Sequence, residues 1–159
     1  MSTSTDKIKV GDKLPIFNTV TEDGTSISNE SFAGYKTILY FYPKNDTPTC
    51  TKEACNLRDN FGVFKKNGYQ VYGISPDNIK SHTKFIAKYE LPFSLIADPD
   101  KSIIKSFGLF GSKKFMGKEV QGVYRTTIVI DENCTVTHVI ENVVSGEHSK
   151  QLADLLGFS

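Results

Sequence analysis

Residues 40–55, with the sequence YFYPKNDTPTCTKEAC, begin as a strand and end as a helix. An apolar, aromatic run over residues 36–42 fits a buried strand. The helix is predicted to begin after Thr47, a preferred N-cap residue, with Pro48 at its first position. Cys50 is then the third helical residue, where unpaired N–H groups and aligned peptide dipoles favour a thiolate. Because the helix end supplies only part of the stabilisation that a reactive thiolate needs, we expect a cation nearby.

Length, charge and cysteine content narrow the class of protein. The chain has 159 residues, a net charge of +1 and three cysteines. This length suits one domain, and we expect a flexible tail over residues 1–7 and a single domain over residues 8–159. The small charge argues against nucleic acid, and no apolar segment approaches the ~20 residues that span a membrane. Without a signal core at the N-terminus, we expect a cytosolic, reducing location, where three cysteines are buried, metal-bound or catalytic.

The rest of the chain alternates strands and helices behind a short hairpin. The hairpin is predicted over residues 15–20 and 26–27, further strands over 69–75, 94–97, 123–130 and 135–141, helices over 48–67, 77–89, 98–108 and 147–156, and a Gly- and Lys-rich loop over 110–122. In the last helix we expect Leu152, Leu155 and Leu156 to face inward. This order predicts an α/β fold with a central mixed sheet, helices on both faces and an N-terminal β-hairpin extension. The strand–helix–strand unit followed by hairpin–helix resembles the thioredoxin fold.

A motif around Cys50 carries a resemblance to a known family. Pro43, Thr47 and Cys50 form the pattern Pro-x-x-x-Thr-x-x-Cys, which resembles the active-site motif of peroxiredoxins. Cys55 and the segments Phe-Tyr-Pro-Lys and Asn-Leu-Arg-Asp around it resemble the bacterioferritin-comigratory-protein branch, also called the Q type. The similarity continues over nearly the whole chain, through residues 73–75, 95–98, 107–108 and 125–131.

The resemblance implies a role for each matching residue on the helix and its loop. Cys50 would be the peroxidatic cysteine, which attacks a peroxide oxygen and becomes a sulfenic acid. Cys55 would resolve that acid as an intramolecular disulfide. Thr47 would hydrogen-bond the peroxide through its hydroxyl, and Pro43 would shield the sulfenic acid from water and further peroxide.

The resemblance also implies that Arg125 is the cation near the thiolate and that Glu53 orients it. The sequence supports the first role independently, because Arg125 opens the apolar strand 126–130 and strand ends present side chains to ligands. A guanidinium there would stabilise the thiolate and the oxygen leaving from the broken O–O bond. Without the resemblance, Arg125 would be predicted to be a surface charge and Glu53 a solvent-facing helix residue.

These roles imply a thiol-specific peroxidase that reduces hydrogen peroxide or organic hydroperoxides in antioxidant defence. The resemblance implies no cofactor and no metal, re-reduction by thioredoxin or a similar dithiol protein, and a monomer. One alternative on the same fold is a module that senses peroxide without consuming it. Another is a zinc site, since the spacings Cys50-x4-Cys55 and Cys134-x3-His138 are permitted for zinc ligands.

The spacing of Cys50 and Cys55 gives a sharper hypothesis. On an intact helix, positions five apart lie about 8–9 Å apart at Cα, whereas a disulfide needs less than about 7 Å. We therefore expect the first helical turns to unwind after Cys50 is oxidised, aided by the modest helix propensity of Thr49 and Thr51.

Some remaining chemistry-bearing residues are predicted to have no part in the site. We expect Cys134 to be an exposed, incidental thiol and the lysines of the 110–122 loop, Lys113 and Lys114, to be solvated. For His82, His138 and His148 we expect core or surface positions outside catalysis.

Overall fold

A computed structural model describes residues 7–158, without the side chain of Phe115. The predicted tail lies outside the described residues except for Lys7, so the division into tail and domain stays a prediction. The strands are β1 (Asn18–Val20), β2 (Ser26–Ser28), β3 (Lys36–Phe41), β4 (Tyr69–Ser75), β5 (Ser94–Ala97), β6 (Phe110–Phe115), β7 (Lys118–Val123), β8 (Thr126–Ile130) and β9 (Val136–Ile140). The α-helices are α1 (Pro48–Asp59), α2 (Phe61–Lys66), α3 (Ile79–Tyr89), α4 (Ser102–Ser106) and α5 (His148–Leu156), with 3-10 turns at Asn29–Phe32 and Ser145–Glu147.

The central sheet has five strands in the order β5-β4-β3-β8-β9. β3, β4 and β5 run parallel, β8 is antiparallel to β3, and β9 is antiparallel to β8. β1 and β2 form the separate N-terminal hairpin, which touches the sheet through a bridge between Thr21 and Ile96. The mixed sheet and its hairpin extension are as predicted.

The side chains of β3 alternate between two apolar layers, as expected for a strand buried on both faces. Ile38 and Tyr40 pack in one layer, and Leu39 and Phe41 in the other. The first layer is closed by Leu57 of α1, Phe64 of α2, Phe85 of α3 and Leu152 of α5, and the second by Phe32, Ile103 and Ile104 of α4, and Phe107. Helices therefore cover both faces, and the helix that carries Cys50 packs on the first.

The helix predicted over residues 48–67 is in fact two helices that meet at Asn60. The backbone of Asn60 leaves helical geometry, with φ −116° and ψ 12°. Its side-chain Nδ2 donates to the carbonyl oxygen of Asn56 at 2.9 Å, so the side chain takes a backbone acceptor. This local competition ends α1 at Asp59, and α2 follows on its own axis.

The loop predicted over residues 110–122 is wrong, because β6 and β7 form a hairpin there. Its turn uses positive φ angles at Met116 (53°) and Gly117 (79°). β7 then ends at Val123, so the strand predicted over 123–130 is only β8, with Tyr124 and Arg125 between the two strands.

Leu155 and Glu53 differ in burial from what their sequence positions alone predict. Leu155 is 44% exposed rather than inward-facing, because of its three leucines α5 turns only Leu152 fully into the core. Glu53, which its sequence position alone would place in solvent, is fully buried. Within residues 7–158, no helix is both long and apolar enough to cross a membrane.

Candidate active site

The loop between β3 and α1 is fixed to α3 by a buried amide. The N–H of Asn45 donates to Asp77 Oδ2 at 2.8 Å, and its Nδ2 lies 2.9 Å from His82 Nδ1. Its Oδ1 accepts from the hydroxyl of Tyr42 at the end of the strand. His82 Nε2 in turn lies 3.0 Å from the carbonyl oxygen of Ile96. These bonds set the point at which the chain enters α1.

Cys50 is the third residue of α1, as predicted, and only 2% exposed. The helix begins with Pro48 and with a bond from the N–H of Thr51 to the carbonyl oxygen of Thr47 at 2.8 Å. The hydroxyl of Thr47 donates to the carbonyl oxygen of Lys44 at 2.9 Å and does not cap the helix. First-turn N–H groups therefore stay free of a side-chain cap.

Arg125 reaches α1 from the junction of β7 and β8. Its Nη2 lies 3.2 Å from Cys50 Sγ, and its Nη1 donates to Glu53 Oε1 at 2.7 Å. Cys50 and Glu53 are three residues apart, so they lie on one face of the helix. The predicted cation is thus beside the sulfur, and Glu53 holds the guanidinium there.

Burial sets the electrostatics of this cluster. Burial raises the pKa of Glu53 from its usual 4.5 to about 7, although the charge of Arg125 and its hydrogen bond act in the opposite direction. Burial also lowers the pKa of Arg125, but the charges of Cys50 and Glu53 outweigh it and raise the pKa overall. The guanidinium therefore stays charged, whereas the carboxyl of Glu53 can take up a proton near neutral pH.

This site can be compared with those of known proteins. Residues 10–139 match the model of the AhpC/TSA family. The putative peroxiredoxin bcp of Coxiella burnetii is 43% identical over 150 residues, which cover 94% of this chain and 97% of that protein. The chain belongs to the AhpC/TSA family, among its peroxiredoxins. Peroxiredoxin Bcp of Escherichia coli K12 is 38% identical over 141 residues, 89% of this chain and 90% of that protein.

A solved peroxiredoxin structure is also similar. The bacterioferritin comigratory protein of Xanthomonas campestris, studied for its alkyl peroxide reduction activity, matches with a TM-score of 0.83 and 28% identity, covering 92% of this chain and 98% of that one. This likeness confirms the predicted thioredoxin fold. Family membership makes the protein a thiol peroxidase, which takes a peroxide as substrate and a thiol as reductant.

Cys55 and Pro43 are the remaining residues that the resemblance assigned to the site. Cys55 is a free, partly buried thiol in the same uninterrupted α1 as Cys50. Five helical positions separate the two sulfurs by more than a disulfide allows. Pro43 is partly buried between β3 and the Asn45 loop. The predicted roles of both residues stay predictions.

Two neighbours of the peroxiredoxin site, His148 and Lys113, were missed by the sequence analysis. His148 is fully buried, with its Nε2 3.8 Å from Glu53 Oε2 and 2.7 Å from Thr127 Oγ1. Lys113, predicted to be solvated, is half-buried and donates to the carbonyl oxygen of Val123 at 2.8 Å. Burial, and then the charge of Arg125, lower the pKa of Lys113, and Lys113 and Arg125 both line an open hollow of about 480 Å³. No linear motif marks these residues, because separate elements bring them together.

Cys134 lies away from this cluster, in the turn after β8, whereas Arg125 comes directly before β8. The sulfur of Cys134 is partly buried, contrary to prediction, and donates to the carbonyl oxygen of Asn29 at 3.6 Å. Burial raises the pKa of this thiol. Cys50 and Cys134 therefore flank opposite ends of one strand. Among residues 7–158, no three or more His, Cys, Asp or Glu side chains converge as metal ligands, which leaves the zinc alternative without a ligand set.

Proposed function

We propose that the protein reduces hydrogen peroxide and organic hydroperoxides with Cys50 as the attacking nucleophile. The observation that carries this proposal is the guanidinium of Arg125, 3.2 Å from Cys50 Sγ and anchored by Glu53. A cation held in that position stabilises the thiolate before the reaction and the departing oxygen during it. Membership in the peroxiredoxins supports the same chemistry.

The first chemical step is a displacement at oxygen. The thiolate Sγ of Cys50 attacks one peroxide oxygen, an S–O bond forms and the O–O bond breaks. The sulfur loses two electrons and becomes a sulfenic acid, while hydroxide or alkoxide leaves and takes a proton from water. Arg125 and the first-turn N–H groups of α1 stabilise the charge on that oxygen.

Thr47 and Pro43 are proposed to handle the peroxide and the sulfenic acid. Because the hydroxyl proton of Thr47 already bonds to Lys44, its oxygen keeps lone pairs that can accept the peroxide O–H. Pro43 has no N–H to hydrate and is partly buried ahead of Asn45, so we assign it to limit the access of water.

Cys55 is proposed to complete the reaction. After α1 unwinds, its thiolate attacks Sγ of the sulfenic acid, an S–S bond forms, and hydroxide leaves and is protonated to water. Thioredoxin or a similar dithiol protein then reduces the disulfide by exchange and is itself oxidised. A monomeric state and a cytosolic location also stay predictions.

Stopped-flow oxidation of the reduced protein tests the proposal. Cys50→Ser should abolish the reaction with peroxide, whereas Cys55→Ser should keep one oxidation per chain and lose cycling with thioredoxin. Cys134→Ser is the matched control and should keep both steps, because that sulfur lies at the other end of β8. Peroxide consumption at the original rate by Cys50→Ser would refute the assignment, and unchanged cycling by Cys55→Ser would remove that residue from resolution.

A further inference from the structure

A second buried layer lies behind Glu53, on the side away from Arg125. His148, the first residue of α5, is fully buried and places Nε2 3.8 Å from Glu53 Oε2 and 2.7 Å from Thr127 Oγ1. Its Nδ1 lies 2.9 Å from Gln151 Oε1, one turn along α5. The proposed reaction assigns no task to His148, Thr127 or Gln151.

The hydrogen bonds fix which nitrogen of His148 carries the proton. Gln151 Oε1 accepts from the N–H of Val144 at 2.9 Å, and its Nε2 donates to the carbonyl oxygen of Asn142 at 2.8 Å. The amide therefore turns an acceptor toward His148, so Nδ1 must donate. In the neutral ring Nε2 is then an acceptor, and it receives the hydroxyl proton of Thr127.

This arrangement leaves half of the Glu53 carboxylate without a donor. Oε1 receives Arg125, but Oε2 is buried without a hydrogen-bond partner among residues 7–158. The nearby Nε2 of His148, 3.8 Å away, carries no proton in this tautomer and its lone pair is taken by Thr127, so it gives Oε2 no donor. An ionised carboxylate that is buried with one bare oxygen is costly, so the proton is favoured on Glu53.

Other groups near the Glu53 carboxyl do not supply the hydrogen-bond donor that Oε2 lacks. Tyr40 of β3 and Tyr42, just after β3, lie near it, and burial raises the pKa of both hydroxyls well above the usual value, so both stay neutral. The hydroxyl of Tyr40 is itself without a partner among the described residues. From α1 the neighbour is Cys50, and from the β7–β8 junction it is Arg125. Burial lowers the pKa of His148, so the ring is neutral.

We propose that His148 is a positioning residue: by turning a nitrogen without a proton toward Glu53 Oε2, it leaves that oxygen without a donor, favours a proton on the carboxyl and so makes the hold of Arg125 on Cys50 depend on pH. Ionised Glu53 anchors the guanidinium at the sulfur, and neutral Glu53 holds it less tightly. The rate of peroxide reduction then rises with pH through neutrality. This inference rests on the peroxidase role of Cys50 proposed above.

The first test measures protonation of the Glu53 carboxyl in protein that cannot react with peroxide through Cys50. In full-length protein carrying Cys50→Ser, which removes the thiolate, the C=O infrared band of a protonated carboxyl is titrated and assigned by its loss in Glu53→Gln. His148→Gln places a neutral N–H near Oε2, and it should lower the midpoint of this titration by about one pH unit. His148→Asn keeps a donor toward Gln151 but does not reach Glu53, so it should not lower the midpoint.

A purely structural role for His148 gives a different result. It predicts the same midpoint in His148→Gln and His148→Asn. The control His82→Gln, which changes the buried histidine of α3, should leave the midpoint unchanged. An unshifted midpoint in His148→Gln, with the fold confirmed by its thermal unfolding, would overturn the proposal. If the protein with Cys50 intact does not react with peroxide, the proposed function fails, and the infrared titration still decides the role of His148.

The link to rate is tested with Cys50 present. The pH profile of the peroxide reduction rate should shift to lower pH in His148→Gln, by the same amount as the infrared midpoint. In a Glu53→Gln background the substitution should cause no further change in the pH profile, because the residue acts through that carboxyl. A shift that persists in this background would refute action through Glu53.

Discussion

The first eight residues of α1 and its last turn are held by different means. Across residues 48–55, the side-chain hydrogen bonds to other elements that occur within the described chain run from Arg125, to Cys50 and to Glu53. The last turn, residues 56–59, is attached instead to the start of α5 and the end of α3.

The attachments of the last turn are independent of the site. Asn56 Nδ2 donates to the carbonyl oxygen of Gly146 at 3.0 Å, and its Oδ1 and carbonyl oxygen accept from Ser149 at 2.7 and 2.9 Å. Arg58 Nη1 donates to the carbonyl oxygen of Tyr89 at 2.8 Å. Residues 48–55, the segment expected to unwind, are therefore attached to the rest of the protein through the Arg125 contacts of the site. We expect unwinding to stop at Asn56.

The largest expected effect comes from removing the Arg125 side chain, whose hydrogen bonds hold residues 48–55. Arg125→Ala takes away the donor that faces the departing oxygen, so the second-order rate with peroxide should fall about 100- to 1,000-fold, or ~2.7–4 kcal/mol. Stopped-flow oxidation of reduced protein measures this. Arg58→Ala, which removes the guanidinium that serves the last turn, is the control and should oxidise at the original rate. A normal rate in Arg125→Ala would break the comparison.

The buried acid of the first segment gives the next effect, on stability. Folded Glu53 has a pKa of about 7 against a usual 4.5, so between these values the folded chain keeps a proton that the unfolded chain releases. Stability should therefore fall as pH rises from about 4.5 to about 7, by roughly 3–4 kcal/mol from this group.

Urea unfolding of Glu53→Gln across this pH range should show that this contribution is lost. The control is Asp59→Asn, in the last turn, where the acid is exposed; it should keep the original slope. If Glu53→Gln and the original protein showed parallel pH profiles, the buried carboxyl would not hold a proton in this range.

The smallest effect should come from loosening the last turn. Asn56→Ala removes the side-chain bonds to Gly146 and Ser149, at a cost of about 1–2 kcal/mol. Hydrogen exchange of the disulfide form should then show lost protection beyond residue 56, whereas the original protein should lose it only over residues 51–55. Equal protection of the whole helix before and after oxidation would contradict local unwinding.

The sequence predicted the parts of the site that depend on local patterns. Thr47 and Pro48 mark the start of α1, and the apolar run before them marks β3, because both signals lie within a few residues. The pairing of Arg125 with Cys50 came from the resemblance, since its place before the apolar strand 126–130 suggested a ligand-facing position but no partner. The observed contact supports this placement.

Long-range packing set what could not be predicted. The β6–β7 hairpin was missed because it lies largely in solvent, so neither face has an apolar period to detect. His148 is buried only because α5 folds back against α1, a contact without a local signature. Leu155 shows the reverse error: apolar spacing suggested an inward position that the short α5 does not provide.

One guanidinium contacts two groups that can carry negative charge, the Cys50 sulfur and the Glu53 carboxyl, and only the second is unchanged by the proposed reaction. Once peroxide has turned the sulfur into a neutral sulfenic acid, the attraction between Arg125 and residue 50 fades while that to Glu53 remains. Oxidation of Cys50 thus weakens one of the two contacts that Arg125 makes with α1. The product of the first step would thereby lower the barrier to the second, with no external trigger.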